Sequence, residues 1–377
     1  MKKLVQERKK FCLFVNVDWF VLSHFTDYLR KIVAKNIDVT VITLNTGRCD
    51  EIRALGVDVI EIELHRGYSN LYSEFKSLVN IYLTLRNLSP DILELITIKA
   101  VLYGGLVAKI LKINKRVFYM SGLGTVFTHQ TNFGRVKASI ITYLYKLIMR
   151  STSTEVIVEN DDDKHIFTSV IGLTEKRIHL IPGVGIDLNE FAPVYSRNIV
   201  NLRVGLVSRL LYDKGILEFI EAAKICKTMR SDVEFLLAGD TDPTNPASVR
   251  QKDLKDLRRH NFVELLGHHK DVATLMKTFD ILVLPSYREG FPKVIMEAAA
   301  TGLPVVTTDV TGCRNAVVHN KTGFIVPSKN AEALADSIGR LLDSAELRQI
   351  MGHNARKFAE LNFDVERLSS IHINVWD

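Results

Sequence analysis

The stretch Pro285-Ser286-Tyr287-Arg288-Glu289-Gly290-Phe291-Pro292-Lys293-Val294-Ile295-Met296-Glu297-Ala298 decides how this chain folds. It follows Asp280-Ile281-Leu282-Val283-Leu284, which reads as a buried strand, and it opens a segment with helical spacing. Gly290 sits in the connecting loop and Pro292 at the expected first helical position. Amides at a helix start lack intrahelical partners and lie at the positive end of the helix dipole, so they form an anion site. Glu289 and Glu297 bracket that site. A wholly helical segment between them would hold them about 12 Å apart along the axis, so they cannot act on one atom. They suit one elongated ligand, with a phosphate in its middle and hydroxyls at both ends. A nucleotide-sugar has that shape.

Outward from this stretch, short apolar runs alternate with helix-period segments. Strands are expected at Phe11–Val17, Asp38–Leu44, Asp58–Glu63, Ile92–Leu95, Arg116–Met120 and Glu155–Val158. The pattern restarts at Leu202–Val207, Val233–Ala238, Phe262–Leu265, Ile281–Leu284, Pro304–Thr307 and Gly323–Val326. Helices are expected between them, among them Val21–Lys35, Leu71–Leu88, Ala100–Leu111 and Arg135–Met149. Such alternation implies parallel sheets with right-handed crossovers, and two runs of it imply two doubly wound α/β domains. The Pro- and Gly-punctuated stretch Ile181–Pro193 is the expected boundary. Ligands of open α/β sheets bind at the carboxyl ends of strands, so the expected site is the cleft between two such domains.

Composition narrows the classes. With 377 residues, 47% of them hydrophobic, the chain can build two cores. No apolar run reaches the length of a membrane-spanning helix. The basic start Met1–Lys10, followed by a strand-length apolar run without a small-residue cleavage site, argues against a signal peptide. Cys12, Cys49, Cys226 and Cys313 are scattered, which points to a reducing, cytoplasmic setting. The net charge of +6 is uneven: residues 1–150 carry 22 Lys/Arg against 12 Asp/Glu, and residues 151–377 carry 27 against 31. The basic first half favours an anionic partner such as lipid headgroups. A solvated lysine-rich surface would give the same count, and no nucleic-acid motif accompanies the charge.

Further groups could carry chemistry. Ser208-Arg209-Leu210-Leu211-Tyr212-Asp213-Lys214-Gly215 follows a strand and precedes a helix, where Arg209 and Lys214 can clamp a diphosphate and neutralise it as it leaves. Gly122-Leu123-Gly124 and the pair Gly183 and Gly185 read either as ligand-approach loops or as tight turns. His24 lies just past the first strand, as a cleft group or a packed residue, and that turn lacks GxGxxG. Asp240-Thr241-Asp242 could hold a divalent metal, but Arg209 and Lys214 already supply the positive charge, so no metal is expected. Asp161-Asp162-Asp163 read as a helix cap and first-turn acids. Phe133–Met149 reads as a basic amphipathic helix, packed on the sheet or resting on anionic lipid.

These segments together resemble the retaining family 4 glycosyltransferases of the GT-B fold, two Rossmann-like doubly wound domains facing across a cleft. The resemblance rests on Glu289-Gly290-Phe291-Pro292 to Glu297-Ala298, on Ser208-Arg209 to Lys214-Gly215, on Ile181–Pro193 and on Asn320-Lys321-Thr322-Gly323-Phe324. Asp18-Trp19-Phe20 to His24 and Gly122-Leu123-Gly124 look like bacterial enzymes that extend polyprenyl-diphosphate-linked sugars for O-antigen, capsule or glycoprotein glycan. The resemblance implies an acceptor-binding domain over 1–190, with a helix of about 360–377 crossing back, and a nucleotide-sugar domain over 191–359. It also implies metal-independent transfer, with retention, of a hexose or N-acetylhexosamine from a UDP-sugar to a lipid-linked saccharide. The enzyme would lie peripherally on the inner face of the plasma membrane. By position, Arg209 and Lys214 would hold the diphosphate, Glu289 the sugar and Glu297 the ribose, with Gly290, Phe291, Pro292 and Lys293 beside them. Relatives often carry a histidine after the fourth strand; here Leu95-Ile96-Thr97-Ile98-Lys99 has none, which leaves His24 and Lys99 as cleft candidates. A UDP-sugar 2-epimerase of the same fold, or a non-catalytic sugar-nucleotide-binding protein, would share much of this pattern.

Overall fold

The computed structural model describes residues 8–63, 71–123, 132–194, 201–242, 245–250, 252–254 and 261–377. Its strands are near-continuous apolar runs: Phe11 to Val15 are all fully buried, as are Ile281 to Val283. That is the signature of strands covered on both faces, and every strand pair is parallel. The strands are β1 (Lys10–Val15), β2 (Asp38–Thr43), β3 (Asp58–Glu61), β4 (Ile92–Ile96), β5 (Lys115–Met120), β6 (Thr154–Val158), β7 (Ile178–Leu180), β8 (Leu202–Val207), β9 (Val233–Ala238), β10 (Glu264–Gly267), β11 (Ile281–Leu284), β12 (Val305–Thr308) and β13 (Gly323–Val326).

They form two sheets, ordered β3-β2-β1-β4-β5-β6-β7 and β10-β9-β8-β11-β12-β13. Both are doubly wound. The order reverses between β1 and β4 in one and between β8 and β11 in the other, and crevices open at such points. Each sheet belongs to its own compact unit. One runs to Val184 and takes back Glu366–Asp377; the other is Gly185–Val365. At the start and end of the second unit the chain pairs with itself: Ile186 N donates to Phe363 O at 2.7 Å, and Val365 N to Ile186 O at 3.1 Å. Gly185, at φ 83°, permits this crossing, because a Cβ there would lie 2.6 Å from Val365 Cα.

Three local expectations change. The single helix expected over Val21–Lys35 is two, Asp18–His24 and Thr26–Ala34. Phe25 breaks it at φ −121° and is fully buried among Phe20, Tyr28 and Tyr119. The three-residue edge strand β7 is too short to show a periodicity. Asn160, not an aspartate, caps Asp161–His165: its side chain accepts from Asp163 N, and the three acids fill the first turn.

Candidate active site

The two loops singled out in the sequence leave the adjacent strands β8 and β11, one on each side of the point where strand order reverses. They touch directly. Tyr287 N donates to Asp213 O at 2.8 Å. Gly215, at φ 71°, ends the first loop and would place a Cβ 2.1 Å from Pro285 O, so glycine lets the two backbones meet.

This contact brings together residues 75 positions apart. Lys214 Nζ lies 2.5 Å from Glu289 Oε1, and Ser286 Oγ donates to the same oxygen at 2.7 Å. Both ion-pair side chains are largely buried, which strengthens their attraction. Ser286 is itself fully buried and its carbonyl accepts from Thr308 Oγ1; Glu289 N donates to Thr311 O at 3.1 Å. Among the described residues both side-chain donors reach Oε1, which leaves Oε2 for another partner. Below the loop, burial pushes the Cys313 thiol up to about 12, so it is a neutral packing group.

The helix that follows is Lys293–Ala300. Pro292 stands just outside it, with ψ 110°, and its carbonyl accepts from Ile295 N and Met296 N. The helix thus starts one residue later than expected. The first turn of such a helix points its amides outward at the positive end of the dipole, which suits this loop to an anion. Glu297, on the second turn, is 7% exposed, not a surface residue. Burial raises its carboxyl above the usual range; Lys293 Nζ, 3.4 Å from Oε1, lowers it and Glu190 raises it further. Phe291 packs edge-on to Phe363 with ring centroids 5.5 Å apart, so only its backbone faces the loop. Gly290 lies under Gly312, whose Cβ would sit 2.4 Å from Gly290 O.

Arg209 has a carboxylate partner of its own. Its guanidinium donates to Asp242 Oδ2 at 3.2 Å, so Asp242, weighed above as a metal ligand, partners an arginine from the neighbouring strand's loop.

In the first unit the candidates are held by neighbours. His24 stacks on Phe20, centroids 4.1 Å apart, and its Nδ1 lies 2.6 Å from Ser23 Oγ. Lys99 pairs with Glu74 at 2.8 Å, and Tyr103 donates to the same carboxylate. Both residues follow the strands β1 and β4 that flank this sheet's reversal. Gly122 and Gly183 have φ of 90° and 68°, as turns require; Gly124 lies outside the described residues. The most organised group here is Asp18. It is fully buried and accepts from Trp19 N, Thr46 N, Thr46 Oγ1 and Arg48 N at 2.5–3.0 Å. Burial raises its carboxyl, but these hydrogen bonds outweigh burial and hold it below the ordinary aspartate range. It ties the loop after β1 to the loop after β2.

Sequence reasoning missed Ser286, Thr308, Thr311 and Gly312 as supports of Glu289. Only Ser286 left a trace: a hydroxyl three residues before the glutamate in the deciding stretch.

The profile "Glycosyl transferase 4-like" matches residues 10–160 and "Glycosyl transferases group 1" matches residues 201–358. The chain is 30% identical to the N,N'-diacetylbacillosaminyl-diphospho-undecaprenol alpha-1,3-N-acetylgalactosaminyltransferase of Campylobacter jejuni, over 93% of each chain. It is 26% identical to the UDP-Gal:alpha-D-GlcNAc-diphosphoundecaprenol alpha-1,3-galactosyltransferase of Escherichia coli, over 81% of each. The crystal structure of HepE from Anabaena with UDP and glucose superposes with a TM-score of 0.79 at 20% identity, over 97% of this chain and 99% of that one. No helix of the described residues is long and apolar enough to cross a membrane. With both halves matched in order and two doubly wound parallel sheets, the chain belongs to the group 1, family 4-like glycosyltransferases and has their GT-B fold.

Proposed function

We propose that this glycosyltransferase moves a hexose or N-acetylhexosamine, with retention of configuration, from a UDP-sugar to a polyprenyl-diphosphate-linked saccharide. It does so without a divalent metal, while resting peripherally on an anionic membrane face. The observation that carries the reading is the Lys214–Glu289–Ser286 cluster, set just before a helix start whose second turn carries the buried Glu297. The relatives from Campylobacter jejuni and Escherichia coli, both named for diphospho-undecaprenol sugars, support the acceptor class. The UDP-Gal named for the second supports a UDP donor.

In this reading the backbone at the start of helix Lys293–Ala300 takes a phosphate, Glu289 holds sugar hydroxyls and Glu297 the ribose diol. Lys214 and Arg209 neutralise the leaving diphosphate. Arg209 pairs with Asp242 and Lys214 with Glu289, which holds both cations beside the strand ends where the diphosphate would lie. The bond from the anomeric carbon to the phosphate oxygen breaks as the acceptor oxygen attacks the same face. The acceptor proton passes to the departing phosphate oxygen. The acceptor binds at the carboxyl ends of β1 and β4, near His24 and Lys99.

The test is transfer from UDP-sugars in EDTA, with Arg209→Ala and Lys214→Ala measured beside the parent. Each is expected to lose on the order of 100-fold in kcat. The melting temperature of Arg209→Ala should hold, and Lys214→Ala, which removes a partner of the largely buried Glu289, should fold but melt lower. Full activity in both, or dependence on added metal, overturns the assignment.

A further inference from the structure

In the first unit, helices Leu71–Leu88, Gly105–Ile110 and Asn132–Met149 pack side by side over one face of the sheet. Their inner faces supply Ile81, Leu85, Val107, Ala108, Ile141, Tyr145 and Ile148 to the core. That burial accounts for one apolar stripe per helix. Two of them carry a second stripe on the outside. Tyr72, Phe75, Val79 and Leu83 recur at helical spacing, with Tyr72 77% and Phe75 65% exposed. Val136, Ile140, Tyr143 and Leu147 do the same, with Tyr143 67% and Ile140 56% exposed. Ile110, 60% exposed, ends the helix between them.

The charge around these stripes is predominantly positive, with Glu63 paired to Lys76 at 3.7 Å beside the first. Residues 71–150 carry 11 Lys/Arg against 3 Asp/Glu. Of the three acids, Glu94 is fully buried and Glu74 is taken by Lys99 and Tyr103. Lys109, Lys146 and Arg150 line a shallow groove with Tyr143, Leu147 and Ser151. Lys109 Nζ reaches Leu147 O at 2.7 Å, so the lysine and the apolar stripe share one spot.

We infer that this outer helix face is a docking surface for an anionic bilayer, with the Lys109–Lys146–Arg150 groove taking a lipid phosphate. Exposed tyrosines and aliphatics interleaved with lysine suit the headgroup boundary, where apolar bodies sink and ammonium groups stay with the phosphates. A second copy of the chain fits badly, because a two-fold contact would set the same positive face against itself. The Glu74–Lys99 pair places the start of the first stripe next to the carboxyl end of β4. A lipid-linked acceptor would therefore arrive from the side on which the bilayer lies. This location deepens the proposed function, but its test needs no acceptor.

The experiment is co-sedimentation of the full chain with vesicles of phosphatidylcholine alone or mixed with phosphatidylglycerol. One variant combines Lys109→Gln, Lys146→Gln and Arg150→Gln; another combines Phe75→Ser, Ile140→Ser and Tyr143→Ser. Melting curves of both should match the parent, because every change is at the surface. Parent binding should require the anionic lipid. The charge variant should lose on the order of 100-fold in partition, from about tenfold or less per cation. The apolar variant should lose at least roughly tenfold. Transfer to a water-soluble, short-chain acceptor should be unchanged in both. Equal binding to neutral vesicles, no binding at all, or parent-like binding by both variants overturns the surface. So does a parent dimer that only the apolar variant loses while vesicle binding persists, which would assign the stripes to a second copy. Absent transfer with intact, variant-sensitive vesicle binding would sink the reaction proposal and leave the surface standing.

Discussion

Glu297 shows how one residue can set ligand binding against stability. Its folded carboxyl is raised by burial, so the fold favours the neutral acid. Between the ordinary glutamate range and the raised value, the folded chain holds a proton that the unfolded chain has released. Stability therefore falls as pH rises through that window and stays low above it. Glu297→Gln keeps the shape and removes the charge. Its melting temperature at neutral pH should exceed the parent's and should change less across the window. Its donor affinity should fall by roughly tenfold, the worth of a hydrogen bond to a charged group. Thermal melts across pH and titration calorimetry with UDP check the two halves. A lower melting temperature at neutral pH would show that the Lys293 contact outweighs burial. Glu289 differs in its contacts: Lys214 and Ser286 both reach its Oε1.

At the scale of elements, helix Val365–Asn374 returns to the first unit and is fastened by a buried polar network. His372 Nε2 lies 2.7 Å from Glu94 Oε1 on β4, and Tyr28 donates to Glu94 Oε2 at 2.6 Å. Trp376 donates to Tyr28, and the His372 and Tyr28 rings stack at 4.1 Å. Burial and then the Glu94 charge push the Tyr28 hydroxyl well up, so it stays a donor. Lys31–Glu366 and Lys35–Asp377 add exposed pairs of small worth. His372→Ala should cost about 3 kcal/mol, because it removes one of two side-chain partners of the fully buried Glu94 and leaves Oε1 without its contact. His372→Ala with Glu94→Gln should cost less than the two single changes summed, as read in a urea-denaturation cycle. Additive losses would mean that the two groups act independently. None of this network was legible in the sequence. His372 and Glu94 are 278 positions apart, and neither carries a local pattern. What was legible has a local cause: strands buried on both faces read as apolar runs, and the donor loop reads through its Gly, Pro and two glutamates. The same limit explains Lys99. A lysine after β4 reads as a cleft cation, but its pairing with Glu74 depends on how a helix 25 residues earlier packs. It explains Phe25 as well, since helical spacing continues through a residue whose burial breaks the helix.

At the scale of the molecule, each unit has its own cores. Clusters around Phe118 and Tyr145 and around Phe11 and Tyr28 cover the two faces of the first sheet; clusters around Phe219 and Phe235 and around Phe279 and Met296 cover those of the second. The polypeptide passes between the units at Val184–Gly185 and again at Val365–Glu366. Units of this size, each with a complete core, can unfold separately, so one unfolding free energy does not describe the chain. Scanning calorimetry should resolve two transitions, and two perturbations should label them. UDP at a hundredfold excess over its dissociation constant stabilises the unit it binds by about 2.7 kcal/mol. For a unit of this size that raises a transition by roughly 5–10 °C. Every residue assigned to the donor lies in Gly185–Val365, so UDP should move one transition only. His372→Ala removes a contact wholly inside the other unit and should lower the other transition only. If UDP and His372→Ala act on the same transition, the donor residues or the unit boundary are misassigned. If one transition responds to both, the two units unfold together and the chain is a single cooperative body.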